Sequence, residues 1–232
     1  MTTSSCRHLA SDYIESWSRL AGRRGGDFIV HRVDRDLVTV VLGDVCGHGE
    51  AAADVADDVR AMVARELDGV VSDDLLRRWH RQVFARHGDE NLFVCITILQ
   101  LNLRTQKLRI VNCGNPDLIV HREDGQRLDR FVSTGMPLGI VEEKDWSPPS
   151  FQWTYLDQRD YAMGISDGVV DYQRADSERF GLARICAALR SSTACNSPLD
   201  EVRRRLLGFG PARGECDDLS MFVLRGARKR VA

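Results

Sequence analysis

Apolar positions along this chain change their period several times, and each change marks an element. Leu9, Tyr13, Ile14, Trp17 and Leu20 recur at near-helical spacing, which predicts a short amphipathic helix over residues 6–22. "DFIVHRV" and "DLVTVVLGD" then read as two strands around a turn at Asp34–Asp36. From Gly49 to about Leu67 the period is helical again. A second helix is expected from Ser72 to about Ala85, because Ser72, Asp73 and Asp74 suit a helix start. Strands follow in "LFVCITILQLNL", "KLRIVNCG" and "DLIVHRE", the last closing on the turn "EDGQ". "RFVST" is a further candidate, and "YAMGISDG" is an apolar strand ending in an acid. Residues 181–190 and 199–207 read as helices, and "DDLSMFVLRG" as a final strand. "DWSPPS", residues 145–150, reads as a loop inside the domain, since strands resume beyond it. Consecutive strands disfavour an alternating βαβ chain and predict an α+β protein, a sheet sandwich with helices outside.

Composition narrows the class. A chain of 232 residues, 43% hydrophobic and 28% charged, suits one large domain with a sizeable core. A net charge of −2 provides no field for nucleic acid or an anionic membrane. Seven scattered cysteines without a C-x-x-C pair speak against a disulfide scaffold or zinc ribbon and for a reducing compartment. "MTTSSCRHLASDYIESW" lacks the apolar core of a secretory signal. No run approaches the ~20 apolar residues of a spanning helix. A cytoplasmic protein is expected.

The candidate chemistry lies where apolar runs deliver acids. Asp44 follows "LVTVVLG", Asp167 follows "YAMGIS", Asp217 and Asp218 precede "LSMFVLRG", and Asp27 opens a strand after Gly25 and Gly26. Any one of these alone is an ordinary turn residue beside glycine. Together at strand tips they can converge on one sandwich edge, where like charges need a positive counterpart. Hard divalent cations such as Mg²⁺ and Mn²⁺ favour such oxygen donors.

The succession Gly25-Gly26-Asp27, Gly43-Asp44-Val45-Cys46-Gly47-His48-Gly49, Pro137-Leu138-Gly139, Ser166-Asp167-Gly168-Val169 and Asp217-Asp218-Leu219-Ser220 carries more weight than any single motif. It resembles the metal-dependent protein phosphatases of type 2C. The similarity is strongest to the bacterial branch typified by stage II sporulation protein E and the regulators of stress sigma factors, and it runs from about residue 22 to 225. The resemblance implies a four-layer α-β-β-α sandwich of two antiparallel sheets over residues 22–232, after a short helical extension, 1–21. It also implies two divalent ions, Mn²⁺ or Mg²⁺, in a cleft at one sheet edge. By the family pattern Asp44 bridges both ions and the Val45 carbonyl adds a ligand. Asp167 and Asp217 hold one ion, Asp27 acts mainly through water, and Asp218 is a neighbour. Gly47 and Gly49 would turn the backbone sharply and leave a helix amino terminus near the bound phosphate. The implied reaction is attack by an activated water on a phosphoester, with Asp44, Asp167 and Asp217 as the catalytic set.

Phosphoserine or phosphothreonine on a protein is the implied substrate class. In this branch it is typically an anti-sigma-factor antagonist of the STAS fold in a partner-switching pathway. Two other classes stay open: a pseudophosphatase that sequesters its phosphoprotein, and a hydrolase acting on a small phosphoester. The chain departs from the pattern at several points. Cys46 stands where the branch usually has serine and eukaryotic relatives have histidine, and it reads as a small packing residue. His48 inherits no catalytic role and is as readily a partly buried structural residue. Asn115 replaces a histidine common in the branch. Arg23 and Arg24 read as solvated, as do Arg203–Arg205. Cys95, Cys113 and Cys186 read as core. Trp146 and Trp153 flank the proline loop as packing residues or part of a partner surface. No sensor domain is expected ahead of the motifs, so control is expected from a partner, from substrate supply or from a homodimer formed through the first helix.

Overall fold

The computed structural model describes residues 5–9, 12–88, 92–123, 127–191, 197–210 and 217–227. Among the described residues, eleven strands form two antiparallel sheets. In chain order they are β1 (Ser5–Leu9), β2 (Ile14–Arg19), β3 (Asp27–Asp34), β4 (Leu37–Val45), β5 (Val94–Asn102) and β6 (Lys107–Cys113). β7 (Leu118–Arg122), β8 (Arg127–Phe131), β9 (Gln152–Tyr155), β10 (Tyr161–Ile165) and β11 (Leu219–Arg225) complete the set. The helices are α1 (Glu50–Glu66), α2 (Asp73–His87), α3 (Asp167–Asp171), α4 (Gly181–Ser191) and α5 (Pro198–Gly208). One sheet runs β1-β2-β11-β10-β7-β8 and the other β3-β4-β5-β6-β9.

Three apolar layers separate four layers of structure. Val40, Leu42, Leu99, Ile110, Val120 and Phe222 fill the space between the sheets. On the outer face of the five-stranded sheet, Val41, Ile96, Ile98 and Val111 pack against Val59, Met62, Leu76 and Trp79 of α1 and α2. On the outer face of the six-stranded sheet, Met163, Ile165, Met221 and Val223 pack against Ile185, Leu189, Val202 and Leu206 of α4 and α5. Alternate residues of β4, Val40 and Leu42 against Val41, therefore enter different cores, as a period of two requires. The α+β, α-β-β-α sandwich expected from the sequence is the fold. α2 starts as expected, with the Ser72 side chain accepting from the Leu75 N–H at 3.2 Å.

Three expected elements are corrected. The segment read as an amino-terminal helix over 6–22 contains two strands, and β2 lies inside the sheet, paired with β1 and with β11. Its two sides are both covered: Ile14 enters the layer between the sheets and Trp17 the layer under α4 and α5. Both-sided burial erases the polar alternation that announces a strand. The "YAMGISDG" stretch ends earlier than expected, because Asp167 opens the short helix α3. The strand read at "RFVST" is displaced towards the amino terminus, as β8. Residues 124–126 of the "EDGQ" turn lie outside the described residues.

Candidate active site

The acids come together because strand ends do. Asp27 begins β3 and Asp44 is the penultimate residue of β4, and the antiparallel register makes them direct partners across the ladder. In the other sheet β10 and β11 are neighbours, with Ile165 opposite Met221. Asp167 therefore leaves β10 beside Asp217 and Asp218, which lead into β11. The Ser166 N–H donates to the Ser220 carbonyl at 2.9 Å, and the Ser220 N–H to Ser166 Oγ at 3.0 Å, closing that junction.

Asp218 laces the two sheets. Its Oδ1 accepts from the Ala21 N–H at 2.6 Å and its Oδ2 from the Asp27 N–H at 3.2 Å. Asp217 Oδ1 accepts from the Asp218 N–H at 2.8 Å. The carboxylate of Asp218 occupies the space where a side chain at residue 25 would stand: a Cβ on Gly25 would meet Asp218 Oδ2 at 2.0 Å. Glycine there is a requirement of close approach. Past Asp44 the chain turns through Gly47 at φ +109° and Gly49 at φ +85°, conformations open to glycine. Gly49 caps α1 without any side-chain hydrogen bond, so the first-turn N–H groups of that helix have no side-chain acceptor there.

The electrostatics follow from burial. Asp44 is pushed up to about 9, first by burial and then by the charges of Asp27, Asp167 and Asp217. Asp27 is pushed up to about 7 by burial, opposed by hydrogen bonds from Ser166 and Ser220. Asp217 is raised by burial as well. The Oδ2 atom of Asp27 is fully buried and has no hydrogen-bond partner. Among the described residues no three Asp, Glu, His or Cys side chains close on one point as a finished ligand cluster. The acids share an edge and one another's field. Even so, a hard cation suits them: every donor is oxygen, one buried oxygen has no partner, and a positive charge would relieve the cost that raises Asp44.

Cys46 is exposed, which corrects its reading as a packing residue. Its thiol is nonetheless raised, by desolvation and then by the charges of Asp44, Asp167 and Asp217, and is held in the protonated, poorly nucleophilic form. His48 is exposed too, which corrects its reading as partly buried. Asn115 makes a structural contact: it is buried, and its Nδ2 donates to Thr97 Oγ1 at 3.0 Å. Arg24 is not merely solvated. It forms ion pairs with Glu50, Asp54 and Asp57 on one face of α1, at 3.1, 2.7 and 2.5 Å. Sequence reasoning missed Ser166 and Ser220 as partners of Asp27, although both stand inside the quoted motifs. Of the core cysteines, Cys113 is buried, while Cys95 and Cys186 are partly exposed.

The four-layer sandwich is the type 2C phosphatase fold. The SiaA-PP2C domain of Pseudomonas aeruginosa superposes with a TM-score of 0.77 at 16% identity, covering 91% of this chain and 85% of that one. RsbX, solved in complex with magnesium, superposes with a TM-score of 0.68 at 13% identity, covering 95% and 98%. The chain belongs to the stage II sporulation protein E (SpoIIE) family, whose model matches residues 34–226. Among sequence relatives, Protein IcfG of Synechocystis sp. is 21% identical over 217 residues, 82% of this chain and 34% of that protein. Phosphoserine phosphatase RsbP of Bacillus subtilis is 21% identical over 163 residues, 68% and 40%. The chain thus spans about a third to two fifths of the relatives it matches by sequence.

Proposed function

We propose that this protein is a metal-dependent protein-serine/threonine phosphatase. The observation that carries the reading is the convergence of Asp27, Asp44, Asp167, Asp217 and Asp218 on one edge, with Asp44 pushed up to about 9 by burial and then by its acidic neighbours. Asp27, Asp44, Asp167 and Asp217, with the Val45 carbonyl and Asp218 beside them, would hold two Mn²⁺ or Mg²⁺ ions. RsbX crystallised with magnesium supports the choice of metal. Bound there, such ions supply Lewis acidity to water and to the phosphoryl oxygens.

The chain's own groups do the rest. Asp44, at the centre of the acidic field, would bridge, while Asp167 and Asp217 would hold the outer side. Asp218 and the serines 166 and 220 fix Asp27 against its neighbours, so that the acids are preorganised. The uncapped first turn of α1 presents N–H donors to an anionic phosphoryl group on the same edge. No side-chain nucleophile is required.

The substrate we infer is a phosphoserine or phosphothreonine protein. RsbP, a phosphoserine phosphatase by name, supports it, as does the structural likeness to the RsbU and RsbW domains of Rv1364c from Mycobacterium tuberculosis, with a TM-score of 0.74 at 19% identity. The particular partner in view is a STAS-domain anti-sigma-factor antagonist in a cytoplasmic partner-switching pathway. No helix among the described residues is long and apolar enough to cross a membrane. The test is release of phosphate from an aryl phosphate and from a phosphorylated STAS protein, with and without Mn²⁺. We expect Asp44→Ala to lose at least about a hundredfold in kcat/KM, the scale of removing one preorganised electrostatic group. Equal turnover in both proteins, or turnover indifferent to chelation, would sink the proposal.

A further inference from the structure

The outer face of the five-stranded sheet carries a second surface far from the acids. β9 is one of the two edge strands of that sheet. Opposite it on β6, Arg109 faces Trp153 and Lys107 faces Tyr155. A period of two places all four side chains on one face. This is the helix side, since an Arg109 guanidinium N–H donates to the Val71 carbonyl in the α1–α2 connection. The two helices do not reach far enough to cover β9. Trp153 remains 49% exposed, Tyr155 58%, and Val70, next in the chain to Val71, 61%.

The contrast among the tryptophans is sharp. Of the four in the chain, Trp17, Trp79 and Trp146 are 2% exposed or less. Of the two that flank the proline loop, Trp146 is core and Trp153 is surface. Edge strands normally protect themselves with charge and avoid large rings. Here the cations lie on the rings: Lys107 Nζ is 4.0 Å from the Trp153 centroid, and the Arg109 guanidinium is 3.4 Å from that of Phe151 and 5.3 Å from that of Trp153. Neither cation forms an ion pair among the described residues. Asp73, at the start of α2, is the carboxylate that acts on Arg109 through space.

We propose that this strip is a docking surface for an acidic segment of a partner protein. Aromatic rings and arginine are the side chains that dominate protein interfaces. Lys107, with no ion-pair carboxylate among the described residues, and Arg109, acted on by Asp73 only through space, give the surface a sign in a protein whose net charge is −2. Side chains carry the docking, because the Tyr155 carbonyl on the strand's edge already accepts from Arg122. The surface is remote from the catalytic edge. Trp153 is in register with Arg109, Gln100 and Thr39, so Asp44 lies five residues along β4 and three strands away. That is roughly 20 Å at ~3.4 Å per residue and ~4.8 Å per strand. The surface therefore adds affinity without touching a reacting group, and the proposal holds whether or not the acid edge hydrolyses anything.

The test uses a fluorescein-labelled peptide of alternating glutamate and leucine, read by anisotropy at low salt, and a lysine–leucine peptide of the same length. We expect saturable binding of the acidic peptide alone. Trp153→Ala and, separately, Lys107→Glu should weaken it by at least about tenfold, the loss usual for an aromatic or charged anchor. Emission from the three buried tryptophans checks that both variants are folded. In the wild type, the acidic peptide should also protect Trp153 from acrylamide quenching. The proposal fails if the acidic peptide does not bind, if the basic peptide binds equally, or if Trp153→Ala binds as tightly as wild type. Protection that rises with protein concentration without peptide would assign the surface to a second copy. Trp153-dependent binding to phosphatidylglycerol vesicles in preference to the peptide would assign it to a membrane. Either result overturns the acidic partner.

Discussion

A single hydrogen atom in place of a methyl group governs the lacing of the acid edge. Gly25 leaves room for the Asp218 carboxylate, which accepts from the Ala21 and Asp27 N–H groups and ties the segment after β2 to the start of β3. Asp218 is 5% exposed and short, so it has no open direction into which to retreat. Gly25→Ala therefore drives a methyl into a fixed carboxylate and displaces Asp27 with it. We expect a loss of about 1–3 kcal/mol in a urea titration, the usual cost of overpacking. Mn²⁺ affinity, measured by calorimetry, should fall as well. Unchanged Mn²⁺ affinity would mean that Asp218 braces the fold without setting the position of Asp27. Asp218 thus has a positioning part that its spacing in the sequence does not announce, since in a D-D pair it reads only as a neighbour of the ligands until its backbone partners are seen.

At the scale of elements, β2 decides whether the amino-terminal segment is an appendage or a component. Trp17 is 2% exposed and packs in the layer beneath α4 and α5, while β11 uses β2 as one of its two ladder partners. Deleting residues 1–20 strips one whole side of β11 and removes a buried tryptophan, itself worth about 3–5 kcal/mol. Set against a stability of about 5–15 kcal/mol for an ordinary domain, the truncated protein should lose its cooperative thermal transition and go into inclusion bodies. A sharp, soluble melt after that deletion would restore the segment to an accessory role. The misreading has a physical cause. Leu9, Tyr13, Ile14, Trp17 and Leu20 mimic a helical stripe because β2 is covered on both faces, and Glu15 is buried as well, its carboxylate accepting from Ser197 Oγ at 2.6 Å. β4 and β5 were legible because their apolar runs are long and end in turn residues. Asp27, Asp44, Asp167, Asp217 and Asp218 were legible because each closes or opens such a run beside glycine or a second acid. Ser166, Ser220 and the Arg24 latch on α1 were not, since their partners lie far away in sequence and only the folded chain brings them together.

For the whole molecule, the gathered acids are a built-in strain whose sign can be worked out. Asp44 and Asp27 are raised to about 9 and about 7, against about 3.9 for an aspartate in the unfolded chain. Between those limits the folded protein holds protons that the unfolded chain has released, so stability falls as pH rises. The contribution of these groups is fully present below about pH 4 and is lost as the pH passes through about 7 and then about 9. His80 and His121, both lowered by burial, act in the opposite direction: their contribution is present above about 6.5 and is lost at lower pH. A comparison with Asp44→Asn therefore isolates the acid edge. In chelator, the wild type should lose melting temperature relative to Asp44→Asn between about pH 6 and about pH 8.5. Mn²⁺ competes with protons for the same oxygens, so the rise in melting temperature on adding it should grow over that range. In Asp44→Asn the rise should be small at both pH values. A wild-type response to Mn²⁺ that is flat with pH, or matched by Asp44→Asn, would show that the ion binds elsewhere, and the carboxylates at the sheet edge would then need another explanation for being held so close.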